Sequence, residues 1–201
     1  MRVDLHLHSR YSHDSFTSLD ALIARARECG LDRIALTDHN TAEGALALAR
    51  LAPDLTIVGE EAKTREGELI GLFITGRVAP YLRPEEAMDL IHDMGGLTYI
   101  PHPLDPNRSH FRAERIVELA DRIDIIETYN PWAGASANRA AAELAAELGK
   151  AAATGSDSHG IEEIGRSWME MDDYEGPHDF LEKLARAKHI VTSASGTTRR
   201  A

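Results

Sequence analysis

The chain opens MRVDLHLHSRYSHDS, with Asp4, His6 and His8 alternating with Val3, Leu5 and Leu7. A strand of period two sets the two groups on opposite faces. The leucine face can pack against helices. The other face carries two imidazoles and a carboxylate, which are costly to bury without partners. The same residue types recur downstream: TDHN brings Asp38 and His39, GEEAK Glu60 and Glu61, IPHP His102, IETYN Glu127 and Asn130, and TGSDSHG Asp157 and His159. His13 and Asp14 follow the first run. Imidazoles and carboxylates brought together hold divalent metals, and such metals activate water for hydrolysis.

The bland alternative is that each histidine is an ordinary hydrogen-bonded residue. Of the ten histidines, His92, His178 and His189 lie on or beside helical patterns and take that reading, while His110, in DPNRSHF, stays undecided. The other six fall at strand ends together with acidic residues, a coincidence that points to a shared metal site.

The elements that must position them alternate. Strand-like runs are expected at 2–8, 33–37, 55–58, 69–75, 97–100, 123–129 and 150–155. Amphipathic helices lie between most of them: SLDALIARARECG with Ser18 as N-cap and Gly30 as stop, RPEEAMDLIHDMGG with Pro84 at its start, and SANRAAAELAAELG closed by Gly149. Repeated β-then-α units imply a parallel sheet with helices outside, and about seven units favour a closed barrel. The carboxyl ends of barrel strands converge on one face, where sites are built. WMEMDDYEG reads as a closing strand and acidic loop, and the terminal TTRRA as frayed. The whole of 1–201 reads as one domain, with the motifs in 1–170 and closing elements in 171–201.

With 201 residues, 43% of them hydrophobic, the chain is long enough for one sizeable core. A net charge of −11 argues against duplex nucleic acid as partner, which needs a basic footprint. It says less about a small anion, because metal ions invert the local field. The single cysteine, Cys29, excludes an internal disulfide framework and suits a reducing compartment. No apolar run spans a membrane and none resembles a signal peptide, so the expectation is a cytoplasmic protein without membrane partners. Oligomeric state is left open.

DLHLHS, TDHN, GEE, PHP and SDSH, in this order, resemble the PHP family, named for polymerase and histidinol phosphatase members. The resemblance implies a distorted, TIM-like, seven-stranded β/α barrel. It implies two or three divalent ions (manganese, iron or zinc) and hydrolysis of phosphate esters by a metal-bridging hydroxide. Residue by residue, it implies a first metal on His6, His8, Asp157 and a bridging glutamate, Glu61 with Glu60 as fallback. A second metal would share Glu61 and take His102; Glu68 stands where many relatives have histidine, and a carboxylate there shifts preference towards harder ions. A third would use His39, His159 and Asp14, with His13 close behind. Asp4 and Asp38 are expected to orient histidines.

Asp157 or His159 is a candidate proton donor to the leaving oxygen. Arg139 and Arg166, ahead of Arg10 and Lys63, are candidates to cradle phosphate. The expected activity is a phosphatase on a small phosphorylated metabolite or nucleotide. A phosphodiesterase or exoribonuclease on short RNA, with Tyr11, Tyr99, Tyr129 or Trp132 as stacking partners, is the main rival. A C–N hydrolase of related barrel type and a non-catalytic metal-binding module are further rivals. The former often carries a carboxylated lysine where this chain has glutamate, and the latter tends to lose ligands.

Overall fold

A computed structural model describes residues 1–192 and the backbone of 198–200. The first half runs β1 (Arg2–Leu7), α1 (Leu19–Glu28), β2 (Arg33–Leu36), α2 (Glu43–Leu51), β3 (Thr56–Lys63), β4 (Glu68–Leu72), α3 (Pro84–Asp93) and β5 (Leu97–Ile100). The second half adds α4 (Ala113–Glu118), β6 (Ile125–Tyr129), α5 (Ala135–Leu148), β7 (Ala151–Thr154), β8 (Ser167–Glu170), α6 (Pro177–Leu184), β9 (Lys188–Thr192) and β10 (Thr198–Arg200). The helix signals act locally as expected. Ser18 caps α1 by accepting from the Ala21 amide, Pro84 occupies the first turn of α3, and Gly149 ends α5 in a left-handed conformation.

The strands form one sheet in the order β10-β9-β8-β1-β2-β3-β4-β5-β6-β7. The chain after β7 then returns to β1: the Asp157 amide donates to His6 O at 2.7 Å and the His8 amide to Ser158 O at 2.9 Å. These bonds draw the sheet into a nearly closed barrel. Closure demands a residue without a side chain at Gly155, where a Cβ would sit 2.4 Å from His6 Cβ and 2.6 Å from His6 N.

Two sequence expectations need correction. The sheet has ten strands among the described residues rather than seven. It is also mixed. β4 runs antiparallel to both β3 and β5 because β3 and β4 are a hairpin, not a β-α-β unit. Its turn is set by Thr64, whose amide donates to Gly67 O at 2.8 Å while its hydroxyl accepts from the Gly67 amide at 3.1 Å. β8 pairs antiparallel with β1, the place expected for a closing strand. Of the tail read as frayed, Thr197 and Ala201 lie outside the described residues, and the backbone of Thr198–Arg200 pairs with β9. His189 sits on β9.

Three apolar clusters hold these layers. Leu7, Leu22, Ile34, Leu36 and Leu48 join β1 and β2 to α1 and α2. Ile91, Ile116, Ile126 and Leu144 seat α3, α4 and α5. The third gathers Leu5, Ile57, Ile70, Tyr99 and Ile125 from different strands, with Phe180 of α6. Tyr99 links this cluster to the polar site, since its hydroxyl donates to Glu127 Oε1 at 2.8 Å.

Candidate metal centre

The ends of β1, β3, β5 and β7 bring His6, His8, Glu61, His102 and Asp157 into one buried cluster. His6 Nε2 lies 3.3 Å from Glu61 Oε2 and 3.5 Å from Asp157 Oδ1. His8 Nε2 lies 3.4 Å and 3.3 Å from the same two oxygens. These spacings match a ligand shell. In a tetrahedral site with metal–ligand bonds of about 2.0–2.1 Å, the ligand atoms are about 3.3–3.4 Å apart. His8 Nε2 and Asp157 Oδ1 are buried and have no hydrogen-bond partner. An ordinary core would not leave both orphaned at such a cost. The donor set therefore fits a divalent ion.

Glu61 is the hub. Its Oε2 is approached by His6, His8 and, at 3.1 Å, His39 Nδ1, while its Oε1 lies 3.1 Å from His102 Nε2. Glu68 Oε2 is 3.9 Å from His102 Nε2, and Glu61, Glu68 and His102 form a second compact set of potential ligands. Strand alternation turns Glu60 to the other face, where its Oε2 accepts from the Val78 amide at 2.8 Å. The third grouping is looser. His39 Nε2 and His159 Nε2 each lie 3.3 Å from Asp14 Oδ2, and His8, His39 and His159 also form a compact trio. His13 is 81% exposed, 3.9 Å from Asp14.

Supporting groups fix the rings. His6 Nδ1 lies 3.1 Å from Glu127 Oε1, and His159 Nδ1 lies 3.0 Å from Asp157 O. Both contacts leave Nε2 free to ligate. Asp38 accepts from Ser9 and Ser12, and the Ser12 hydroxyl is 3.3 Å from His8 Nδ1, so Asp38 acts on that ring through the serine. Asp4 touches no imidazole. It accepts the Ser156 amide at 2.8 Å and so secures the closing segment. The carboxylate that orients His6 is Glu127, visible in the sequence only as another strand-end acid. His102 and Asp157 both have positive φ, 29° and 47°, an unusual backbone for non-glycine residues.

Electrostatics follow the crowding. Burial opposes ionisation of Glu61 and Asp157, but the histidines around them prevail and hold both well below the usual carboxylate range. Burial likewise opposes charge on His6, yet Asp157, Glu61 and Glu127 outweigh it and raise its pKa well above normal. Burial wins at His39, lowering its pKa to about 4, and at His8, also lowered. Burial and the charge of Glu61 push Glu68 up to about 7.

The expected phosphate cradle is redistributed. Arg139 lies on α5 in an outer groove with Lys150 and His189, away from the cluster. Arg166 stacks 5.1 Å from the ring centre of Trp132, whose indole donates to Asp157 O at 3.1 Å, so it reaches the rim through that ring. The cation in direct contact is Arg108, which donates to Asp157 Oδ2 at 2.7 Å. The sequence does not single it out, and His110 of the same loop is left undecided there. The only signal for Arg108 was its place in the irregular loop after the PHP motif. Of the proposed stacking residues, Tyr99 is buried and Tyr129 lines the outer groove, whereas Tyr11 and Trp132 are exposed. His92 pairs with Asp124, His178 with Glu182, and His110 with Arg108 O.

Residues 4–97 match the PHP domain family and 135–188 the PHP-associated family. The chain belongs to the PHP family. Two uncharacterized proteins of Methanocaldococcus jannaschii, MJ1587 and MJ0417, are similar to it. They are 32% and 34% identical, over 66% and 91% of this chain and 83% and 76% of their own lengths. PsfC from Pseudomonas syringae shares the fold with a TM-score of 0.72 at 16% identity, over 97% of this chain and 93% of its own. A Bifidobacterium adolescentis protein assigned as a metal-dependent phosphoesterase has a TM-score of 0.62 at 15% identity, over 79% and 88%. An amidohydrolase from Chromobacterium violaceum, solved with sulfate and no metal, has 0.69 at 18%, over 81% and 89%. Among the described residues no helix is long and apolar enough to cross a membrane.

Proposed function

We propose that the protein is a metal-dependent hydrolase of phosphate esters, most simply a phosphatase acting on a small phosphorylated metabolite or nucleotide. The observation that carries the reading is the double duty of Glu61, one oxygen facing His6 and His8 and the other facing His102. A carboxylate so placed can join two neighbouring metal positions. Divalent ions bound there would supply a nucleophile near neutral pH by lowering the pKa of water, and would neutralise charge on phosphoryl oxygens.

The chain's own residues do the rest. His6, His8, Glu61 and Asp157 would hold the first ion, and His102 and Glu68 the second with Glu61. His39, His159 and Asp14 are the candidates for a third. Arg108, anchored on Asp157 Oδ2 and still partly open to solvent, offers further N–H donors towards a phosphate at the rim. Trp132 and Arg166 form an adjacent wall. Asp157, held ionised, suits a ligand better than a proton donor. His159 Nε2, 21% exposed near Asp14, is the better candidate for delivering a proton to the leaving oxygen if it is not itself a ligand. Exposed Trp132 beside Asp157 favours, as a second reading, a diester or short RNA whose base could stack there.

The test is a screen of the manganese-loaded protein against phosphomonoesters, bisphosphates and short oligonucleotides, beside His6→Ala and Asp157→Ala. Turnover that both variants abolish while remaining folded supports the reading. Less than one ion per chain after loading with manganese or zinc would overturn it, as would variant activity within about threefold of the parent.

A further inference from the structure

Outside the metal centre, the described residues form a second groove of chemical interest, between α5 and the outer side of β6, β7 and β9, with a cavity of about 500 Å³. That volume lies in the range of small-molecule sites. Its floor is alanine, with Ala142 and Ala146 open on one face of α5. Its polar groups are Thr128, Tyr129, Asn138, Arg139, Lys150 and His189, and no acidic residue lines it. This runs against the chain's average, which has 33 acidic residues to 22 lysines and arginines. Neither Arg139 nor Lys150 forms an ion pair with a carboxylate among the described residues.

The walls are preformed. Asn138 Oδ1 accepts from the Asn130 amide at 3.0 Å, and Asn138 Nδ2 donates to Asn130 O at 3.0 Å, which pins α5 against the end of β6. His189 Nδ1 lies 3.4 Å from the Thr128 hydroxyl. A small apolar floor and two cations without carboxylate partners complement one chemistry: a compact apolar body carrying a single anionic head. Charge complementarity is the selecting feature, since an apolar amine of the same size would meet two like charges.

We infer that this groove is a binding site for a small amphipathic anion, a carboxylate or phosphate monoester, separate from the metal centre. Arg139 and Lys150 mark the two ends of the groove along α5, so the head lies against one of these cations and the apolar part along Ala142 and Ala146 between them. The two possible heads share this recognition and are separated by experiment.

The test is nuclear magnetic resonance titration of the zinc-loaded, isotope-labelled chain with hexanoate, hexyl phosphate and hexylammonium. Saturable shifts of the Ala142, Ala146 and Lys150 amides are expected with one or both anions and not with the amine. The tighter anion identifies the head. Inorganic phosphate serves to mark resonances that respond at the metal centre. In Arg139→Glu/Lys150→Glu, at one exposed and one half-buried position, affinity should fall at least tenfold while the rest of the spectrum is kept. In Ala146→Leu, which fills the floor, binding should weaken while inorganic phosphate still perturbs the metal centre. Absence of saturable groove shifts with either anion overturns the inference. So does equal binding of hexylammonium, or undiminished binding in the charge-reversed variant. Because the readout is at α5, its failure leaves the metal-centre reading intact, and the reverse also holds.

Discussion

Arg108 donates to Asp157 Oδ2 at 2.7 Å, while Asp157 Oδ1 on the same carboxylate faces His6 and His8 without a hydrogen-bond partner. The two oxygens therefore serve different neighbours, one a guanidinium and the other the ring nitrogens of His6 and His8. Asn130 Nδ2 also reaches Oδ2, at 3.1 Å, so the carboxylate stays oriented if the arginine is lost.

Arg108→Gln is accordingly expected to keep its metal content and lose affinity for phosphate. A charge-assisted hydrogen bond contributes about 1.5–3 kcal/mol, so KM for a phosphomonoester should rise roughly 10–150-fold with a smaller change in kcat. Metal analysis and steady-state kinetics of the variant, with inorganic phosphate as competitor, check both parts. Loss of the metal together with activity would make Arg108 a support of Asp157 alone.

Gly155 is the point where the barrel shuts, and its Cα hydrogen faces the backbone and Cβ of His6. Gly155→Ala cannot be absorbed by a flexible side chain, so β1 or the closing segment must move. Overpacking of this kind costs about 1–3 kcal/mol, which lowers the midpoint of thermal unfolding by several degrees in a chain of this size. The same displacement should weaken the first metal position more than that centred on His102. Calorimetry combined with metal titration measures the two effects.

Much of this was legible in the sequence because it depends on local pattern. Asp4, His6 and His8 alternate with apolar neighbours, and strand ends in a β/α succession must meet on one rim. That was sufficient to gather His6, His8, His102, Asp157 and the pair Glu60 and Glu61, of which the family resemblance, with strand alternation agreeing, picked Glu61. What stayed hidden depends on contacts made across the fold. The β3–β4 hairpin replaces a crossover because the turn at Thr64–Gly67 is too short for a helix, a point that apolar periodicity does not register. Arg108 sits in an irregular loop without periodicity, and only the third dimension brings it to Asp157. Arg139 adjoins a strand end in sequence, but α5 carries it to the outside of the barrel. Glu127 was read as a strand-end acid without a role, since its task is to hold the far nitrogen of another strand's histidine.

A pH effect on stability is expected from His189. Burial lowers its pKa from 6.5 in the folded chain. As pH falls below about 6.5, the unfolded chain takes up this proton before the folded one does, so stability is full above that pH and declines as pH drops through the folded pKa. His189→Gln should lack this component. The difference in unfolding midpoint between parent and variant should therefore be larger, in favour of the parent, at pH 7.5 than at pH 5. A difference that does not change over this interval would show that His189 titrates alike in both states.

Glu68 is the residue on which the proposed second metal position turns. It stands at the start of β4, half-buried, with Oε2 3.9 Å from His102 Nε2 and close enough to Glu61 for that charge to raise its own pKa. Two carboxylates held near one another gain most from a divalent cation between them. Glu68→Ala should therefore weaken the second ion and leave the first nearly untouched. Glu61→Ala should weaken both, because its two oxygens face different histidines. Glu68→His should retain two ions and move preference from manganese towards zinc, imidazole being the softer ligand. Titrating manganese and zinc into the metal-free forms of the three variants gives stoichiometry and affinity for each. Should Glu68 make no contact with metal, its alanine variant would bind both ions as the parent does, and a partly exposed position like this one would cost within about 0.5 kcal/mol of stability. The second ion would then rest on Glu61, His102 and water.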